Sequence, residues 1–86
     1  MDTILIKRRV ECCYISGQAL RLQREKAGLS QKGLADLIIA AIGEKYMIMN
    51  GQLVSVNKMT VCRMEHNFET ALEYLMAKII QKILTE

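Results

Sequence analysis

Asn50-Gly51 lies between two short apolar stretches, YMIM over 46–49 and QLVSV over 52–56. No other dipeptide in the chain restricts the fold as tightly. A type I′ turn needs positive φ at both central residues, which Asn and Gly tolerate at little cost. The register follows from a two-residue loop: Met49 faces Gln52, Ile48 faces Leu53, Met47 faces Val54 and Tyr46 faces Ser55. An isolated two-stranded ribbon is marginal in water, so this hairpin needs a third strand. The N-terminus offers one. Over residues 4–14, Ile4, Ile6, Val10, Cys12 and Tyr14 share one parity, and Lys7, Arg9 and Glu11 share the other; Arg8 and Leu5 break the pattern. Period two with β-branched residues predicts one strand with a covered face.

The rest of the chain reads as helix. Ser16 is placed to cap a helix over 17–27 that Gly28 ends, and Ser30 caps a second over 31–42 that Gly43 stops. Leu34, Ala35, Leu37, Ile38 and Ala41 or Ile42 give that second helix its apolar stripe. Asn57 caps a third helix over 58–66. Thr70 and Glu73 have the spacing of a capping box, which predicts a last helix from Ala71 to about Leu84. Its apolar band, Leu72, Leu75, Ile79 and Ile83 beside Met76 and Ile80, is generous for a domain this small. A second subunit is expected to cover part of it.

With 51% hydrophobic residues, no proline and no repeats in 86 residues, the chain is expected to form one domain. No apolar run approaches the ~20 residues that span a bilayer, and the opening residues do not read as a secretory signal. Cys12, Cys13 and Cys62 are odd in number and two are adjacent, which suits reduced thiols and a cytoplasmic location. The net charge is +3, and six of the twelve basic residues precede residue 30 (Lys7, Arg8, Arg9, Arg21, Arg24, Lys26) against three acids. Such a bias is either a solvated face or a surface turned to phosphate. Cys62 and His66 are four apart on one helix, but with Cys12 and Cys13 they match no common zinc spacing. A buried thiol at Cys62 is expected, and no metal or cofactor. Met47, Met49, Met59, Met64 and Met76 read as gap-filling core. No paired acids, activated Cys–His pair or glycine-rich phosphate loop points to catalysis, so no enzyme is expected.

The stretch GQALRLQREKAGLSQKGLADLI, followed by VNKMTVCRMEHN, resembles the Cro/phage-repressor (Xre-type) helix-turn-helix family. The resemblance rests on Leu20 and Arg24, the Gly28-Leu29-Ser30-Gln31 junction, Leu34-Ala35 and Ile38, then Val56-Asn57 and Thr60 to Glu65, about half of the chain. It implies a mainly α, lambda-repressor-like domain with an inserted β-hairpin, joined by the N-terminal strand. The arm or strand would take 1–14, the helix-turn-helix core 15–66 and the C-terminal helix 67–86. Residues 39–55 stand where the family has a tight turn. Loop length costs little, and the hairpin would contact DNA, hold a second subunit or clash with the duplex.

The implied function is sequence-specific binding of double-stranded DNA by a transcriptional regulator, a repressor by analogy, acting as a homodimer with no membrane or small-molecule partner. The third helix would enter the major groove with Lys58, Met59, Thr60 and Arg63 at base edges. Gln31, Asn57 and His66 would approach phosphates, and Arg24 and Glu65 would join the first helix to the third. The alternative is a protein-interaction module, antitoxin-like or otherwise partner-binding, built on a helix-turn-helix scaffold.

Overall fold

The computed structural model describes residues 6–9 and 12–85. The chain order is β1 (Ile6–Arg9), β2 (Cys12–Ser16), α1 (Gly17–Lys26), α2 (Gln31–Ile42), β3 (Tyr46–Met49), β4 (Gln52–Ser55), α3 (Lys58–His66), β5 (Glu69–Leu72) and α4 (Tyr74–Thr85). All strand pairs are antiparallel, and the five-stranded sheet has the order β1-β2-β5-β3-β4. This corrects the expected fold class. The protein is a small α+β domain, not a mainly α domain carrying a single hairpin.

Two misread segments account for the difference. The N-terminal stretch is not one strand: β1 and β2 pair as Ile6↔Ile15, Lys7↔Tyr14, Arg8↔Cys13 and Arg9↔Cys12. The connection falls on residues 10 and 11, outside the described residues, as do the expected strand positions Ile4 and Leu5. Cys13 and Ile15 are buried while Tyr14 is only partly covered. The inward parity of β2 is therefore the reverse of the one expected.

The second segment is β5. Thr70 and Leu72 point inward, and Cys13↔Leu72, Tyr14↔Ala71, Ile15↔Thr70 and Ser16↔Glu69 pair across to β2. A helix starting at Ala71 would have left those backbone groups of β2 without partners. Thr70 is no helix cap; its hydroxyl accepts a hydrogen bond from Asn67 Nδ2 at 3.1 Å. The last helix starts at Tyr74, and its inward residues are Ala77, Ile80 and Leu84, with Met76 and Ile83 partly covered. Leu75, expected in the apolar band, is 73% exposed.

The Asn50-Gly51 hairpin has the expected register, with φ of 52° at Asn50 and 78° at Gly51. It meets the rest of the sheet through one residue pair, Met49↔Leu72. Two bonds seal that seam: Asn50 N–H donates to the Ala71 carbonyl and Ala71 N–H donates to Asn50 Oδ1, both at 2.9 Å. Helices α1 and α2 form as their caps predict, with Ser16 Oγ accepting from Ala19 N–H and Ser30 Oγ from Gly33 N–H. One core joins sheet and helices, including Ile15, Leu20, Leu34, Ile38, Met47, Val61, Met64, Leu72 and Ile80.

Candidate nucleic-acid interface

Helix α3 begins at a reciprocal cap. Thr60 N–H donates to Asn57 Oδ1 at 3.1 Å, and Asn57 N–H donates to Thr60 Oγ1 at 3.3 Å. The Thr60 hydroxyl in turn donates to the Ser55 carbonyl. At about 100° per residue, Thr60, Val61, Met64 and Glu65 fall on one half of the helix and Lys58, Met59, Cys62, Arg63 and His66 on the other. The first half packs on α1 and α2: Thr60, Val61 and Met64 are buried. On the second half Lys58, Met59, Arg63 and His66 are exposed, Met59 by 55%, and Cys62 is partly so. The hairpin therefore does not cover the outward face of α3.

Three sequence expectations change here. Thr60 is 3% exposed with its hydroxyl turned into the cap, so it cannot reach a base edge. Gln31 gives an amide hydrogen to Glu65 Oε1 at 3.1 Å; its side chain is part of an internal network, and an anion there would meet the start of α2 instead. Cys62 is not a buried thiol. Its Sγ lies 3.6 Å from His66 Nδ1, and that nitrogen donates to the Cys62 carbonyl at 2.8 Å. Asn57 remains at the surface, with Oδ1 engaged at the cap.

Arg24 and Glu65 meet as a two-pronged pair: Arg24 Nε donates to Glu65 Oε2 at 2.5 Å and Nη2 to Oε1 at 3.1 Å. The third prong, Nη1, donates to the Leu29 carbonyl at 2.7 Å. The side chains are 11% and 3% exposed. This guanidinium is held above its ordinary pKa, first by the hydrogen bond to Glu65; burial opposes the shift, and the fields of Glu65 and Glu25 add to it. The Glu65 carboxylate thus ties α1 and the start of α2 to α3, and Arg24 joins the α1–α2 junction to the same network, which fixes how α3 is presented. A shallow polar cleft lined by Arg21, Arg24, Gln31, Glu65 and His66 opens beside it.

Sequence reasoning missed Gly17. A β-carbon there would stand 2.1 Å from the Asn67 carbonyl oxygen, 2.5 Å from that of Met64 and 2.7 Å from that of Glu65. The N-terminus of α1 rests directly on the C-terminal end of α3, where the two helix dipoles meet favourably head to tail.

Lys58 and Arg63 make no ion pair among the described residues, whereas Arg21 is joined to Glu25 and Lys32 to Asp36 on the surface. Among the described residues, no group of three or more His, Cys, Asp or Glu stands close enough to hold a metal ion. No helix there is long and apolar enough to cross a membrane. Compared with family models, curated proteins and solved structures, the chain matches none.

Proposed function

We propose that this chain is a cytoplasmic, sequence-specific double-stranded DNA-binding regulator of the helix-turn-helix kind, a repressor acting as a homodimer. The observation that carries this reading is the outward face of α3. Two cations without ionic partners among the described residues, Lys58 and Arg63, flank an exposed Met59 on a helix locked at its opposite face. Arg63 suits bidentate hydrogen bonding to guanine, Lys58 suits guanine or phosphate, and Met59 suits a thymine methyl. His66 is exposed, and the N–H groups at the start of α2 suit a phosphate that would fix the register.

Duplex binding measured against salt tests the reading. Affinity should fall with a log–log slope of about −0.9 per phosphate contacted. Selection from a random duplex pool should return a motif. Repeated with Arg63→Ala, it should relax one position of that motif, at about 1–3 kcal/mol. No binding at low salt would sink the proposal.

One observation favours the partner-binding alternative: Tyr74 and Leu75 at the start of α4 are exposed on a partly apolar face. Loss of a protein partner on Leu75→Lys, together with indifference to DNA, would select it.

A further inference from the structure

We infer that the free edge of β4 is the dimerisation surface of this protein, and that a second copy of the same chain pairs with it antiparallel about a two-fold axis at Leu53. Backbone geometry comes first. Val56 N–H donates to the Lys45 carbonyl at 2.8 Å. Bonded and non-bonded pairs alternate along an antiparallel ladder, so Val54 and Gln52 also bond inward to β3. Leu53 and Ser55 then turn their backbone groups outward. The Ser55 carbonyl is taken by the Thr60 hydroxyl; the Leu53 N–H and C=O and the Ser55 N–H have no partner among the described residues. Two copies related by a dyad at Leu53 exchange both Leu53 bonds, and each Ser55 N–H reaches toward Gly51 of the other copy.

Charge discriminates between the surfaces available. The sheet has two edges, β1 and β4. The β1 sequence, IKRR, carries three cations in four residues, and like charges opposed across a dyad repel. The β4 sequence, QLVS, carries no charge and no proline. The α4 face is also poor for self-association, since Lys78 and Lys82 stand among its apolar residues.

On β4 the outward face is a row across the hairpin: Leu53 is 67% exposed and Ile48, directly opposite, 38%, with Tyr46 at 54% beside them. Pairing at the edge covers Leu53 and the β4 backbone and leaves Ile48 and Tyr46, one strand further in, largely exposed, so the buried area stays below the ~1,000 Å² of a stable specific interface. The dimer is accordingly concentration-dependent.

Spacing supplies the last argument, and it alone rests on the DNA reading above. From Leu53 the chain runs along β4 to Ser55 and bends at Asn57 into α3. Five residues at about 3.3 Å each place Lys58 at most roughly 16 Å from the axis, in opposite directions in the two copies. The two α3 starts then stand at most about 33 Å apart, which brings them within reach of half-sites one helical turn (~34–36 Å) apart.

Sedimentation equilibrium of the full chain without DNA, from about 5 µM to about 1 mM, tests the interface. A monomer–dimer equilibrium is expected, weakened at least about tenfold by Leu53→Lys and unchanged by Leu75→Lys, with circular dichroism reporting the fold of each. As a second measurement, Leu53→Cys should give a disulfide-linked dimer under mild oxidation faster than the parent chain, because paired strand positions lie within bridging range. A monomer over the whole range, or a dimer lost with Leu75→Lys but not with Leu53→Lys, overturns the inference. Dimerisation through β4 by a chain that ignores DNA would uphold it and sink the regulatory reading instead.

Discussion

At Gly17 three carbonyl oxygens from the end of α3 come closer than any real β-carbon allows, and all belong to backbone that cannot yield without moving the helix. Gly17→Ala should therefore destabilise the fold by about 1–3 kcal/mol or more, measured by chemical denaturation. A change within error of the parent would mean that α1 can slide away from α3. Nothing around residue 17 signals this constraint, because its cause arrives from residues 64–67. Thr60 is the opposite case. The family resemblance put it at a base edge, yet Asn57 and Thr60 have the local spacing of a reciprocal cap, and the cap is what forms. The signal was in the sequence; a resemblance outweighed it.

Among elements, those fixed by local chemistry were legible. Ser16, Ser30 and Asn57 set the starts of α1, α2 and α3, and Asn50-Gly51 set the hairpin and its register. Elements fixed by distant partners were not. β5 has the apparent start of a helix in Thr70 and Glu73, and only the edges of β2 and β3 on either side make it a strand. Between β1 and β2 the sequence reads Val10-Glu11, with no Gly, Asn, Asp or Pro to announce a reversal.

The Arg24–Glu65 connection between α1 and α3 was legible, though only through the resemblance; the contributions of Gln31 and the Leu29 carbonyl were not. Glu65→Ala should cost about 3–5 kcal/mol, since it strands a largely buried guanidinium. Arg63→Ala, at an exposed position, should stay within about 0.5 kcal/mol. Thermal melts giving the reverse order would show that the network does not hold α3.

For the whole molecule, the sheet joins two unequal parts through a narrow seam. β2 and β5 pair along their length, while β3 meets β5 at a single residue pair. Native-state hydrogen exchange should find the β3–β4 amides opening at lower free energy than those of Ile15 and Thr70. Equal protection throughout would mean that the hairpin opens only with global unfolding. The outward α3 face was legible at this scale because a helical period sorts inward from outward residues without knowledge of what lies inside. The position of β4 at the edge of the sheet was not, since an edge exists only once the strand order is known.

Asn50 carries a chemical consequence of its own. An asparagine followed by glycine is the peptide sequence most prone to lose ammonia through a cyclic imide, because the small neighbour lets its nitrogen attack the side-chain carbonyl. Here that carbonyl is the oxygen that Ala71 N–H binds. Ring opening toward isoaspartate would add a methylene to the main chain at the tightest bend of the ribbon and move that oxygen off the seam. The feature that organises the hairpin is thus also the place where chemical ageing would first unstitch it.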